Sequence, residues 1–539
     1  MTVFRRVPAI IFLLFISLAL YQCASRGTPS GGPKDIDPPV LIDAEPENLS
    51  INFSVTKIRL YFDEYIKLQD VENQLIVSPP LKYPPEISPL GGTSKYVEII
   101  IKDTLRENTT YTFNFGESII DNNEGNPNAY LTYVFSTGSY IDSLSFTGVV
   151  KDAFNKKADE FISVMLYEID SAYTDSVIYE SPPYYITNTL DSTTIFTLEN
   201  LKAGKYGLVA IKDEGKNNLF DPETDKIGFV SDTIVLPSDS VYLLSLFREI
   251  PAYSAATPNF AASNKIIFGY KGPDEKVTIH ALTTIPDTIR TRVAKEPSKD
   301  TLNFWFEPFE TYSIIFEVVN EQLQKRDTFT IKTRKLEPDS LLLSPSHRSS
   351  IDFLDTLKIA GNIPFTQIDT SMVSMMNKDS LLLPIKMTLD SVQNAVIFDF
   401  EKEANERYDL TILPGAVTDF FNETNDTLQY RLTTGSYADY GNLRVALAGE
   451  ITYPLILELT DTNGNLERKI YATEEQSFEF NLLKPASYLL RVIFDTNNNK
   501  RWDTGNYLNE VQPERIVYYP QEIEIRANWE LEQVFTISE

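Results

Sequence analysis

The sequence predicts an all-β chain of β-sandwich domains in series, and three observations carry that prediction. Short β-branched and aromatic runs, such as Lys57-Ile58-Arg59-Leu60-Tyr61-Phe62 and Tyr96-Val97-Glu98-Ile99-Ile100-Ile101, are bounded by turn chemistry at Ser78-Pro79-Pro80, Gly91-Gly92 and Asn122-Asn123-Glu124-Gly125. After the first 22 residues no segment sustains an apolar period of 3.6, so helices should be few and short. Finally, two different modules recur in the order A, B, A, B, and self-similarity of this kind sets the fold before any single element does.

The N-terminal segment reads as an address. Arg5 and Arg6 precede an apolar run from Val7 to Leu20 that ends in Tyr21, Gln22 and Cys23, the only cysteine. A run of about 14 residues is short of the ~20 a spanning helix needs, which favours an export signal over a retained anchor. Leu20-Tyr21-Gln22-Cys23 resembles a bacterial lipobox, although Gln22 stands where the family has a small residue. The resemblance implies removal of residues 1-22 and diacylation of Cys23 as the lipid anchor. Ala24 to Pro39 is rich in Gly, Pro and Ser and reads as a tether, so residues 23-38 form the lipidated start of the mature chain.

The repeat divides the rest. Tyr111-Thr112-Phe113 with Thr137-Gly138-Ser139-Tyr140 returns as Tyr408-Asp409-Leu410 with Thr434-Gly435-Ser436-Tyr437. Leu201-Lys202-Ala203-Gly204-Lys205-Tyr206 with Asp213, Asn217, Phe220 and Asp221 returns as Leu483-Lys484-Pro485-Ala486-Ser487-Tyr488 with Asp495, Asn499, Trp502 and Asp503. The expected domains are therefore 39-140 (A), 141-250 (B), 251-337 (neither), 338-437 (A) and 438-539 (B). The middle stretch carries strand patterns of its own at Lys265-Ile266-Ile267-Phe268, Val277-Thr278-Ile279-His280 and Tyr312 to Val319.

These residues carry a family resemblance. Asp37-Pro38-Pro39, Leu60-Tyr61-Phe62-Asp63-Glu64, Leu105 to Tyr111, Asp121 to Asn126 and Phe135-Ser136-Thr137 resemble the SbsA-type bacterial Ig-like domain. The second copy keeps Tyr408, Asp419 and Leu432-Thr433-Thr434 but lacks the Phe-Asp-Glu element. Module B, from Gly148-Val149-Val150 to Leu198 through Tyr206, is similar to Cna-B or transthyretin-like sandwiches. With Gly31-Gly32-Pro33-Lys34-Asp35 after the cysteine, the whole resembles the Ig-like-domain lipoproteins of Bacteroidota. That resemblance implies tandem Ig-like and transthyretin-like sandwiches held at the outer membrane by lipid, on its periplasmic or its cell-surface side.

Composition narrows function by exclusion. The 76 acidic and 48 basic residues give a formal charge of -28, which argues against a phosphate-neutralising surface and so against nucleic acid. One Cys and two His leave little material for thiol catalysis, His-rich metal sites or disulfides. His280 reads as a half-buried strand residue and His347 as a loop residue, neither with an evident orienting partner. No enzyme activity and no required cofactor are expected.

Two motifs remain. Asp213, Asn217 and Asp221, repeated as Asp495, Asn497, Asn499 and Asp503, space oxygen atoms as a Ca²⁺ loop would, but lack the bidentate Glu at the twelfth position. The competing reading is an Asx turn closing a hairpin, with Phe220 and Trp502 as packing residues. An Asp-Ser/Thr-aliphatic pattern recurs at Thr104, Ser143, Ser176, Thr233, Ser240, Thr301, Ser340, Thr356, Ser380, Ser391 and Thr427. It resembles the O-glycosylation sequon of Bacteroidota, and it is also what a turn followed by a strand requires. Aromatics such as Tyr184-Tyr185, Trp305 and Tyr518-Tyr519 suit a sandwich core or a stacking surface. The expected function is a non-catalytic envelope scaffold or binding protein. The alternatives are an accessory subunit of an outer-membrane assembly or secretion machine, and a glycan-binding protein or adhesin.

Overall fold

The computed structural model describes residues 35-129, 131-189, 194-273, 276-297, 299-334 and 336-537; the signal segment 1-22, Cys23 and most of the tether lie outside them. Among the described residues the sheets fall into five successive sets, and no ladder joins one set to the next. The two α-helices among the described residues, Val71–Gln74 and Val177–Glu180, are single turns. None is long and apolar enough to cross a membrane. The expected all-β architecture of tandem Ig-like sandwiches is the one found.

In the first set, strand Lys57–Leu68 alternates with the period of two that half-buried strands require. Ile58, Leu60 and Phe62 point inward, while Lys57, Arg59 and Tyr61 face out. They meet Tyr111, Phe113, Tyr133 and Phe135 from the opposing sheet of Ile76–Ser78, Thr110–Asn114 and Thr132–Ser136. The fourth set repeats the plan, with Leu357, Ile359, Val396 and Phe398 facing Tyr408, Leu410, Ile412 and Leu432.

The residues that repeat do the same work in both copies. The Tyr111 hydroxyl accepts the Arg106 N–H at 2.9 Å, and the Tyr408 hydroxyl accepts the Glu403 N–H at 2.7 Å. The Thr137 hydroxyl donates to the Arg106 carbonyl at 2.7 Å, and that of Thr434 to the Glu403 carbonyl at 2.5 Å. Each pair ties the turn before one strand to the end of the next, a corner whose polar atoms would otherwise be buried unpaired.

The second and fifth sets share a topology as well. In each the last strand runs parallel to the first: Tyr242–Leu246 beside Leu144–Asp152, and Glu530–Ile537 beside Gly441–Gly449. The third set packs Phe268, Phe304 and Phe306 against Ile314, Phe316 and Val318.

By contacts the chain forms two units, one ending at Leu144 and including Glu199–Lys202, the other of Ser145–Leu198 and Ala203–Glu539. Within the second unit the sandwiches touch in a closed circuit. Lys271 reaches Glu223 at 2.6 Å. Trp305 is buried with Ile363 and Phe420, and Arg292 donates to the Phe365 carbonyl at 2.9 Å. Lys484 pairs with Asp352 at 2.5 Å. The circuit closes where the fifth sandwich meets the second.

Candidate functional site

That closing seam joins residues 256 to 364 positions apart in sequence, and its centre is Arg491 on strand Ala486–Phe494. Tyr488, Leu490, Val492 and Phe494 of that strand face the core of the fifth sandwich, so Arg491 lies on the outer face that the second sandwich covers, and a charge buried there must be paired. Arg491 is 3% exposed and donates to Glu458 Oε2 from Nε at 2.9 Å and from Nη2 at 2.6 Å. Its guanidinium lies 4.1 Å over the ring of Phe154, in the loop after Leu144–Asp152. The Tyr518 hydroxyl donates to the Phe154 carbonyl at 2.8 Å, and the Phe154 ring packs tilted at 54° against Trp502 with centroids 4.8 Å apart. Tyr507 is buried edge-on to Phe229 at 5.3 Å, its backbone N–H donating to the buried Glu249 carboxylate. The Thr504 hydroxyl donates to the Arg248 carbonyl at 2.6 Å, and Gln512 to the Phe229 carbonyl at 3.0 Å.

The second acidic loop thus leads directly into a segment, Trp502 to Gln512, that clasps the other B module. Within the loop, Asp495 accepts the Asn499 and Lys500 N–H groups at 3.1 and 2.9 Å, Asn497 Oδ1 accepts the Asn499 N–H, and Asp503 accepts the Asn497 side-chain amide at 2.6 Å. Glu514 completes it, accepting from Thr496 N–H at 2.6 Å and Asp503 N–H at 3.1 Å. The Trp502 indole donates to the Glu514 carbonyl at 2.9 Å.

In the first loop Asp213 Oδ2 accepts the Asn218 N–H at 2.7 Å, Asn217 Oδ1 the Leu219 N–H at 2.8 Å and Asp221 Oδ1 the Glu223 N–H at 2.9 Å. Asp225, 1% exposed, organises this loop by accepting from Glu214 and Asp221. Of the expected calcium ligands, Asn217, Asp221, Asn497 and Asn499 thus form Asx turns, while Asp213 and Asp495 cap amides further along their loops and Asp503 accepts side-chain amides. Among the described residues no group of three or more His, Cys, Asp or Glu is placed to hold a metal ion. One difference separates the loops: Asp213 Oδ1 is buried and accepts no hydrogen bond, and burial raises the carboxyl above its ordinary pKa.

The other candidates sort by exposure. Thr104, Ser143, Thr233, Ser240, Ser340, Thr356, Ser380, Ser391 and Thr427 are exposed, as a modification would require, whereas Ser176 and Thr301 are half-buried. Trp305, at 1% exposure, is buried between the third and fourth sandwiches instead of in a sandwich core, and Tyr185 is buried beside a half-buried Tyr184. Tyr518 and Tyr519 are half-buried, the former committed to the seam.

The histidines depart from expectation. His280 is exposed, its ring 3.1 Å from the Thr278 hydroxyl, because it occupies the outward position of its strand. His347 does have partners, Asp355 at 3.0 Å through Nε2 and Ser346 Oγ at 2.9 Å through Nδ1. The sequence could not bring Asp355 to it without knowing that the strands Leu343–Pro345 and Leu357–Gly361 pair. Ser346 Oγ also accepts the Lys358 N–H at 2.9 Å, so the cluster fastens that strand pair. Arg491, Glu458 and Glu514 were not singled out by the sequence. A charged residue inside an otherwise apolar strand, Leu489 to Phe494, is the signal that could have found the first.

Comparison with known proteins agrees with the architecture. Residues 35–137 match the family model of the bacterial Ig-like domain. No curated protein matches the chain. Among solved structures, an S-layer protein, SbsC, aligns over 90% of this chain and 67% of its own at 11% identity and a TM-score of 0.16. A Bacteroides ovatus protein of a mixed-linkage glucan utilization locus, solved with a mixed-linkage heptasaccharide, aligns over 71% and 92% at 10% identity and 0.16. The Bacillus anthracis TIE protein aligns over 94% and 76% at 9% identity and 0.13. At such scores none of these structures carries an argument, and the agreement rests on the family model alone. The chain is a multi-domain β scaffold containing a bacterial Ig-like domain.

Proposed function

We propose that this protein is a non-catalytic binding scaffold of the bacterial cell envelope, anchored to the outer membrane by lipid on Cys23. The observation that carries the proposal is the joining of a lipobox-like segment to a series of β-sandwiches with no cysteine after Cys23. Charged tethering to anionic lipid is disfavoured by the formal charge of -28, so the acyl chains supply the anchor and the sandwiches supply reach and binding surface. Fastening sandwiches to one another along the seam limits their relative motion, which keeps the entropic cost of binding a partner low.

The test is a mild-detergent pulldown of the tagged full-length protein from its own membranes, with metabolic labelling by a fatty-acid analogue, beside Cys23→Ala. The expected result is a labelled protein with a stoichiometric envelope partner, both lost in the variant. Recovery of an unlabelled protein from the soluble fraction would overturn the anchoring.

A further inference from the structure

Beside the seam lies a cavity of about 160 Å³ that exists only because the fifth sandwich folds back on the second. Its aromatic wall is made by Tyr173 and Phe229 from one module and Tyr507 from the other; its carboxylates are Asp175, Asp232 and Glu510. The walls contain no Lys, Arg or His. Tyr507 is 7% and Phe229 4% exposed, and the two rings are held at 86° to each other, so the aromatic surface is fixed in advance. Tyr173 lies over Gly207, where an added Cβ would come within 3.0 Å of its hydroxyl oxygen, so the ring sits against bare backbone.

We propose that this cavity binds the cationic tip of an arginine or lysine side chain presented by a protein partner. Three features select that chemistry. Ring faces attract a cation through their quadrupole, most strongly where water is partly excluded. Three carboxylates with no positive neighbour on the walls give a local charge that a single cation reduces. The volume suits a side-chain end on a stem, and the absence of a three-carboxylate cluster able to hold a metal separates it from an inorganic cation site. The formal charge of -28 steers such a partner toward the chain, and the cavity gives it one place to dock. This deepens the binding half of the proposed function and does not depend on the lipid at Cys23.

The experiment is saturation-transfer difference NMR on the purified full chain, titrated with Nα-acetylarginine amide, Nα-acetyllysine amide and the neutral isostere Nα-acetylcitrulline amide. The cations should bind at least tenfold more tightly than citrulline, and the triple variant Asp175→Asn/Asp232→Asn/Glu510→Gln should lose that preference. These three side chains are exposed, so the fold should tolerate the change. A control triple, Glu479→Gln/Glu530→Gln/Glu532→Gln, removes as much charge from an exposed sheet surface elsewhere and should leave the preference intact. Equal binding of citrulline, or equal loss in the two triples, would overturn the proposal and leave the anchoring test untouched. A free polyamine that outcompetes the arginine derivative a hundredfold would overturn the choice of a side chain.

Discussion

Replacing Arg491 with Ala tests the seam at its most heavily loaded residue. The guanidinium is 3% exposed and meets a Glu458 that is 6% exposed, so the variant leaves a carboxylate with little water and one remaining cation, Lys469, at 3.6 Å. Breaking a buried pair from one side costs about 3–5 kcal/mol, and the lost stacking over Phe154 falls within that range. Since about 1.4 kcal/mol is a factor of ten, amides of strands Leu455–Asp461 and Ala486–Phe494 that exchange by global opening should exchange about a hundred- to several thousandfold faster. Amides near Phe154 should speed up in parallel, because the same side chain holds both sandwiches. The double variant Glu458→Gln/Arg491→Met removes both charges and should recover most of the loss within the fifth sandwich, but not the protection at Phe154. A loss below about 1 kcal/mol in the single variant, or unchanged exchange at Phe154, would refute the reasoning.

Three further outcomes are expected. Gly505→Ala places a Cβ 2.5 Å from the Val511 carbonyl and 2.6 Å from the Phe247 ring, and should cost about 1–3 kcal/mol, read as lower protection of Tyr507 and Phe247. Asp121 is 2% exposed; burial opposes its charge, but N–H groups of Asn123, Glu124, Gly125 and Asn126 donate to it and hold its pKa below the ordinary value. That stability is present above the unfolded carboxylate range and lost as pH falls through the depressed pKa, so Asp121→Asn should flatten the acid limb of the urea-midpoint profile and cost about 2–4 kcal/mol near neutrality. Asp419, its counterpart, accepts from only Phe421 and Glu423, has Oδ2 buried without a partner, and is pushed up by burial. Asp419→Asn should therefore cost less than half as much in the same assay.

The sandwiches were legible because their signals are local. Tyr111 and Tyr408 recur with Thr137 and Thr434 since each corner needs the same hydroxyls, and alternation along Lys57–Leu68 shows which side is buried. The parallel final strand of each B module, the pairing of His347 with Asp355 and the seam were not legible. The final strands pair with strands of their own module far back in the chain, and His347 meets Asp355 only because two strands pair. The seam depends on contacts across hundreds of residues, and a sequence repeat shows that two modules resemble each other without showing that they touch. Trp502 illustrates the limit: its aromatic character and repeat position mark it as a packing residue, but the ring it packs on, Phe154, lies in the other B module.

The two acidic loops show how one turn diverges. Both use an Asp five residues before the amide it caps, Asp213 to Asn218 and Asp495 to Lys500. The second spends both oxygens of Asp495 on the loop that launches the clasp, so Asp495→Asn should weaken the loop and the seam together. The first leaves Asp213 Oδ1 buried and unpaired, and ionising that carboxyl costs stability as pH rises through its elevated pKa. Asp213→Asn keeps an acceptor for Asn218 and removes the buried charge, so in EDTA near neutral pH it should be neutral or stabilising by up to about 1 kcal/mol, while Asp495→Asn costs about 1–2 kcal/mol. Thermal unfolding in EDTA and in excess Ca²⁺ separates this from coordination. If calcium raises the wild-type midpoint and Asp213→Asn abolishes the rise, the open oxygen is a ligand and its burial has a function. If Asp213→Asn destabilises the EDTA-treated chain as much as Asp495→Asn does, the distinction between the loops fails.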